Sequence, residues 1–405
     1  MKILMVNKFL YPNGGSETYM LKLGEFLNMK GHEVQYFGME HRNRCVGNAV
    51  DVYTSDVNYR DGSIWKSFIN PFKVIYSNEA RKKMRLVLEN FQPQVVHLNN
   101  FNYQLTPSIL LEIKRYIKRS GENIKVIYTA HDYQLLCPNH MFYNPTLHCT
   151  CEKCIGEHYF NCVKGKCIHK SFVKSLVGMA EALFWKYKNA YRYIDTIICC
   201  SEFMKKMMDR NSNFKTKTLV MHNFIEVIHS ANNDKNDYIL YFGRFSEEKG
   251  IKTLVNVCRT LPDIPFVFAG SGDLEKEIEG VANIKNVGFK TGIELEQLIS
   301  EARFSVYPSE WYENCPFSVM ESQAYGTPVL GADIGGIPEL IQAGKTGELF
   351  ESGSQKDLRS KVLKLWNNKE LMQEYALNCH DIVFDTIGQY AEKLMNIYEG
   401  KEERT

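Results

Sequence analysis

Two carboxylates eight residues apart, Glu313 and Glu321, flank a proline in the run Tyr307-Pro-Ser-Glu-Trp-Tyr-Glu313-Asn-Cys-Pro316-Phe-Ser-Val-Met-Glu321. Proline suits the first turn of a helix, and Gly326 suits its C-cap. The spacing therefore predicts a short helix, with Glu313 in the loop before it and Glu321 about a turn and a half inside it. A carboxylate can accept from two hydroxyls at once. Glu313 is placed to take the hydroxyls of a sugar, and Glu321 the paired hydroxyls of a ribose. The helix N-terminus between them carries about half a positive charge and suits a phosphate. The glycine-rich sequel Asp333-Ile-Gly335-Gly336-Ile-Pro338-Glu339 strengthens this reading.

Other polar clusters follow apolar runs. Asn13-Gly14-Gly15-Ser16-Glu17 lets backbone approach a ligand and presents helix N–H groups to an anion; an ordinary loop has the same composition. Ala130-His131-Asp132 closes a strand-like run, where His131 can bond a sugar hydroxyl or meet developing charge, or simply be a satisfied structural histidine. In Gly243-Arg244…Lys249-Gly250, a guanidinium fork and a point charge can converge on a diphosphate. The bland alternative is a surface turn. Ala269-Gly270-Ser271-Gly272 is a weaker signal of the same kind.

The elements that must position these residues are legible as alternation. Runs at Ile3–Val6, Val34–Phe37, Val95–Leu98, Ile124–Thr129, Thr196–Cys200, Ile239–Phe242, Phe266–Ala269, Phe304–Tyr307 and Pro328–Gly331 suit strands buried on both faces. Helical patterns lie between them, such as Ser16–Lys30 closed by Gly31, and another starting at Thr106-Pro107. Strand–helix alternation implies parallel, doubly wound sheets. At 405 residues, 44% hydrophobic and 24% charged, the chain suits two domains. The break falls at 223–237, and ligands are expected beyond the C-terminal ends of strands, in a cleft between two similar halves.

The net charge of +2 conceals an asymmetry. Residues 1–222 hold 31 Lys and Arg against 18 Asp and Glu, a balance of +13, and the remainder is at −11. Arg81-Lys82-Lys83-Met84-Arg85 and Lys114-Arg115-Tyr116-Ile117-Lys118-Arg119 contribute to the basic half, which can face an anionic membrane, a polyanion or a charged substrate, or simply be a solvated surface with a favourable interdomain field. No apolar run approaches the length of a membrane span, and the first residues read as a strand rather than a signal peptide. A cytoplasmic location is expected, with no nucleic-acid partner. Six of the twelve cysteines crowd between Cys137 and Cys167. The spacing Cys151-x2-Cys154-x7-Cys162-x4-Cys167 can offer four thiolates to a structural zinc; Cys137 or Cys149 could replace one. Reduced thiols and disulfides are the other readings.

The ordered set Gly14-Gly15-Ser16-Glu17, His131-Asp132, Ser201-Glu202-Phe203, His222-Asn223, Gly243-Arg244…Lys249-Gly250, Glu313-x7-Glu321 and Gly335-Gly336-x-Pro338-Glu339 resembles retaining glycosyltransferase family 4. The resemblance runs from residue 3 to about residue 350. It implies the GT-B fold: two doubly wound Rossmann-like α/β domains facing a central cleft. Residues 1–222, with a Cys-rich insertion at 137–169, form the acceptor side, and a C-terminal helix at 382–398 returns to it. Residues 238–381 bind the nucleotide-sugar.

The family implies roles as well. Arg244 and Lys249, after Gly243, would hold the donor diphosphate. Glu313 and the amides of Asn314, Cys315 and Phe317 would hold the donor sugar, and Glu321 the ribose. His131 would lie beside the transferred sugar, and Gly14 and Gly15 beside the phosphates. The sequence departs from the family at Pro316, where relatives often carry glycine; proline offers no N–H.

The implied activity is retaining transfer from a UDP- or GDP-linked sugar to a glycan or lipid-linked acceptor, in bacterial surface polysaccharide synthesis, at the inner membrane face. Negative charge on the departing phosphate can be met by Arg244, Lys249 and the helix N-terminus without a catalytic metal. A sugar-nucleotide epimerase or a non-catalytic binding subunit are the alternatives. The second predicts loss of His131, Arg244, Lys249 or Glu313, and all four are present.

Overall fold

The computed structural model describes residues 1–56, 72–226 and 235–401. The chain divides into two compact units. One holds Met1–Leu147, Cys151–His222 and the chain from Ile387 onward; the other holds His148–Thr150 and Asn223–Thr386. Residues 227–234 of the expected 223–237 linker lie outside the described residues. Its flanks at 223–226 and 235–237 belong to the second unit rather than standing apart.

In the first unit, β1 (Lys2–Val6), β2 (Glu33–Phe37), β3 (Val95–Leu98), β4 (Lys125–Ala130), β5 (Thr196–Cys199) and β6 (Thr218–Val220) form one parallel sheet in the order 2-1-3-4-5-6. Register sets the ends level: Val6 lies opposite Phe37 and Leu98, and Leu98 opposite Tyr128. The residues that follow β1, β3 and β4 therefore emerge at one edge. The helix Gly15–Met29 buries Tyr19, Met20, Leu23 and Leu27, and Gly31 after it takes φ +85°. That is the left-handed position in which glycine is unstrained.

The second unit repeats the plan. Here β7 (Ile239–Phe242), β8 (Phe266–Ala269), β9 (Ile284–Gly288), β10 (Phe304–Tyr307), β11 (Val329–Ala332) and β12 (Gly347–Phe350) pair in parallel in the order 9-8-7-10-11-12. From β7 the chain winds outward through β8 and β9, then crosses back to β10. Strand order thus reverses between β7 and β10, and open α/β sheets bind ligands outside the strand ends at that point.

All nine expected runs form strands. Within these two sheets three strands were not expected, β6, β9 and β12, each at a sheet edge, and neither was the separate two-stranded pairing of Tyr143–Asn144 with Cys149–Thr150. In β6 and β9 no residue is fully buried, so the apolar run that marks a central strand is missing. Helix starts differ by about a residue. Pro316 is the N-cap of the helix Phe317–Ala324 rather than inside its first turn. Pro107 likewise precedes the helix Ser108–Ser120.

Candidate active site

The loops after β7 and β10 meet at the switch point of the second sheet. The turn after β7 carries Gly243 and Arg244, both exposed, and ends at Lys249 and Gly250. Gly250 has φ +71°, and a Cβ there would lie 1.8 Å from the Pro308 carbonyl oxygen, so only glycine lets this turn press against the end of β10. Lys249 then reaches across. Its Nζ lies 2.5 Å from Glu313 Oε1 and 3.0 Å from the Tyr307 hydroxyl. The Ser309 hydroxyl (2.6 Å) and the Trp311 indole N–H (2.5 Å) donate to the same oxygen of Glu313.

Glu313 is buried, at 6% exposure, and Lys249 retains 20% of its side-chain surface. Burial works against the lysine charge, but the Glu313 carboxylate and the Tyr307 hydroxyl outweigh it and hold the ammonium well above the ordinary lysine range. Burial, reinforced by Glu313, pushes the Tyr307 phenol up to about 12.

The loop after β11 supports the same residue from behind. Gly336 N–H donates to the Glu313 carbonyl at 2.7 Å. Gly335, at φ +60°, passes so close that a Cβ would meet that carbonyl oxygen at 2.3 Å. Beyond Glu313, Asn314 and Cys315 are buried and Phe317 begins the helix. Asn223 anchors this stretch: its Nδ2 donates to the Cys315 carbonyl at 2.9 Å, and its Oδ1 is buried without a partner. Glu321 is partly exposed on the helix Phe317–Ala324. The expected donor residues of this unit thus share one end of one sheet. Sequence reasoning named Lys249 and Glu313 but not their direct pairing, nor Tyr307, Ser309 and Trp311. The signal available was polar residues directly after a strand.

The first unit shows the same arrangement at the ends of β1, β3 and β4. His131 Nε2 lies 2.9 Å from Asn99 Oδ1, and its ring meets Tyr19 edge-on at 4.8 Å. Asn99 Nδ2 faces the Val6 carbonyl, which orients the amide so that Oδ1 accepts from His131. Nδ1 of the imidazole then carries the lone pair. Burial pushes His131 down to about 3. The ring is neutral at physiological pH, so it offers a hydrogen bond and not a positive charge.

Burial pushes Asp132 up to about 6 against the pull of Lys8, and its Oδ1 accepts from Gln134 N–H at 2.9 Å. Gly14 is extended and Gly15 opens the helix Gly15–Met29. Glu17, in that first turn, is buried and accepts from Asn7 Nδ2 at 2.8 Å and from Ser16 at 3.0 Å. Asn7, Asn99 and Asn100 were not singled out, although each follows a strand as His131 does.

Of the four cysteines named as ligands, Cys154, Cys162 and Cys167 pack in one buried cluster with Tyr159, while Cys151 is partly exposed. None of the twelve cysteines forms a disulfide. A hydrogen bond with Cys167 and burial push the Cys162 thiol up. Zinc needs sulfurs that converge on one point. Among the described residues no group of three or more His, Cys, Asp or Glu is arranged to hold a metal ion. The ligand type is present without the convergence, so no role is derived through a metal.

Two parallel doubly wound sheets in one chain, each with polar loops at its switch point, define the GT-B class of α/β fold. The family model described as Glycosyltransferase Family 4 matches residues 13–228, more than half of the chain, and that of Glycosyl transferases group 1 matches residues 225–379. The chain belongs to glycosyltransferase family 4.

An uncharacterised glycosyltransferase of Methanocaldococcus jannaschii is 30% identical over 201 residues, covering 48% of this chain and 56% of that protein. The amylovoran biosynthesis glycosyltransferase AmsK of Erwinia amylovora is 32% identical over 143 residues, 31% of this chain and 35% of the relative. The matched stretches thus span about half or less of these relatives' own length. The structure of Anabaena HepE with UDP superposes with a TM-score of 0.67 at 16% identity, over 99% of this chain and all of that one.

Proposed function

We propose that this protein transfers a sugar, with retention of configuration, from a nucleotide-diphosphate sugar to a glycan or lipid-linked acceptor in bacterial surface polysaccharide synthesis. The observation that carries the proposal is the Lys249–Glu313 pair, fixed by Tyr307, Ser309 and Trp311 at the switch point of the second sheet. An ammonium has three N–H groups. Two are committed to Tyr307 and Glu313, which leaves one for a phosphate oxygen. Arg244, exposed on the same turn, supplies the bidentate partner, and the start of the helix Phe317–Ala324 adds its dipole. Together they meet the charge that develops on the departing diphosphate, without a catalytic metal in the scheme. Three donors end on Glu313 Oε1, so Oε2 is assigned to the sugar hydroxyls. Glu321 is assigned the ribose.

In the first unit we assign neutral His131 a hydrogen bond to a sugar hydroxyl, and Gly14-Gly15 a place beside the phosphates; both assignments rest on the family resemblance. The neighbour's UDP favours uridine as the first base to test, with guanosine as the alternative. A lipid-linked acceptor puts the enzyme at the inner membrane face, in keeping with the basic first unit and with the absence, among the described residues, of a helix able to cross a membrane.

A thermal-shift screen of nucleotide-sugars in excess EDTA tests the donor site. The correct donor is expected to raise the melting temperature of the wild type and to do so far less for Glu321→Ala. No stabilisation by any nucleotide-sugar, or stabilisation only after magnesium is restored, defeats the scheme.

A further inference from the structure

The helix Phe172–Lys188 has two faces of unexpected character. Its inner face, Ser175, Gly178, Glu181 and Trp185, is buried. At Gly178 a Cβ would come within 2.3 Å of Ile168, and Trp185 Nε1 donates to the Ile75 carbonyl at 2.9 Å. The helix is therefore firmly seated. Its outer face should then be polar. Instead Phe172, Val173, Leu176, Leu183 and Tyr187 form an exposed stripe, with Tyr187 83% exposed, and Phe160 on the preceding turn is exposed as well.

The rim of this stripe is basic. From Lys164 to Arg192 there are seven Lys or Arg and one acidic residue, Glu181, which is turned inward and buried. Lys164 lies over the Phe160 ring, and Lys188 over the Phe184 and Tyr187 rings. Of the rim lysines, Lys186 is paired with Glu157 at 2.5 Å. A helix that is apolar outward, flanked by lysines and without exposed acid of its own is the pattern that lies in a bilayer interface, apolar side chains at the acyl boundary and cations among the phosphates.

Charge counting alone nominates the stretches at 81–85 and 114–119 instead. The structure uses much of their charge internally. Arg81 and Arg85 both bond Glu112, at 2.7 and 2.6 Å, Lys83 bonds Glu79 at 2.7 Å, and Arg119 bonds Glu89 at 2.5 Å.

We propose that the outer face of the helix Phe172–Lys188, with Phe160 and the surrounding lysines, docks this protein on an anionic phospholipid bilayer. The inference names the surface by which the proposed membrane-bound acceptor is approached, and so rests on that reading for its purpose but not for its evidence. The 405-residue chain is sedimented with vesicles of phosphatidylcholine alone or mixed three to one with phosphatidylglycerol, at low and high salt.

Binding to the anionic vesicles is expected at low salt, weakened at least about tenfold by high salt or by neutral lipid. Leu176→Glu with Leu183→Glu is expected to lower it by at least about tenfold, with the melting temperature checked alongside, since both side chains are already exposed, at 41% and 44%. Lys82→Ala with Lys118→Ala should bind as wild type does. Equal binding by the Leu176/Leu183 variant overturns the proposal. So does wild-type binding to neither vesicle, including the case in which the wild type self-associates and the variant does not. Donor-induced thermal stabilisation is read on the same samples. Its absence in a protein that still binds vesicles sinks the transferase reading and leaves the docking surface standing.

Discussion

At the scale of residues, the switch-point end of the second sheet depends on one ion pair in a dry setting. Glu313 presents one oxygen to three donors, of which only Lys249 carries charge. Removing one partner of a buried pair leaves the other uncompensated, which typically costs about 3–5 kcal/mol. Ser309 and Trp311 still donate to Glu313 in Lys249→Met, so its cost is expected near the lower end, about 3 kcal/mol in urea unfolding. The double variant Lys249→Met with Glu313→Gln removes the stranded charge and should recover part of that loss. A double variant no more stable than the single one would show that the pair's charge is not what holds the loop. Transfer is expected to fall by about 10²–10³ in both, because the positive charge that the proposed scheme aims at the departing phosphate is gone. The motif made Lys249 and Glu313 readable in the sequence as separate phosphate and sugar ligands. It could not show their pairing, because that depends on how closely Gly250 lets one turn approach another strand's end. Nor could it show that burial keeps His131 neutral.

At the scale of elements, the fold was readable wherever burial leaves a run of apolar residues, and unreadable at the margins. The central strands β1, β3, β4, β7 and β10 are almost wholly buried, and their sequences say so. The edge strands β6 and β9 are not, and β12 (Gly347-Glu-Leu-Phe350) holds only two apolar residues, so pairing rather than composition defines them. The helix Phe172–Lys188 was equally opaque: its apolar residues fill both faces, and sequence alone does not say which face meets the core. That ambiguity hides Glu181, which points inward with Oε1 unpartnered and is pushed by burial from the ordinary 4.5 up to about 8. An acid whose folded value is raised keeps its proton in the native state while the unfolded chain loses it. This contribution to stability is therefore unaffected below about pH 4.5, declines through the window from 4.5 to about 8, and is constant above it. Glu181→Gln has no such window. Melting temperatures of the two proteins, followed from pH 5 to pH 8.5, are expected to diverge in favour of the variant as pH rises. Parallel curves would mean that Glu181 is ionised in the native state at neutral pH.

At the scale of the whole molecule, the first unit is not a continuous stretch of chain. After forming the second unit, the chain returns in the helix Ile387–Glu399, which buries Ile387, Tyr390, Ala391, Leu394, Ile397 and Tyr398. Two of these complete a polar network inside the first sheet. The Tyr390 hydroxyl lies 2.9 Å from that of Tyr19, and the Tyr398 hydroxyl 2.6 Å from His97 Nδ1, while His97 Nε2 reaches Thr129 at 2.7 Å. Each large apolar side chain returned to water loses about 1.5–3 kcal/mol, and the five large ones among them (all but Ala391) together approach the whole stability of an ordinary domain, about 5–15 kcal/mol. Truncation after Thr386 also leaves His97 Nδ1 without its partner, at a further cost of about 1–3 kcal/mol, while the Tyr19 hydroxyl keeps Thr129 at 3.3 Å. The first unit is therefore expected to unfold in the truncated protein. The second unit keeps its sheet, its Lys249–Glu313 pair and its own core, since none of these draws on the final helix. Calorimetry should show the loss of one transition, with the remaining one still raised by the nucleotide that stabilises the intact enzyme. Retention of both transitions would mean that the first unit stands without its last helix, and loss of both would mean that the second unit cannot fold alone. The fold argues for the outcome between these two: a second unit that folds on its own core, and a first unit that the helix Ile387–Glu399 must complete.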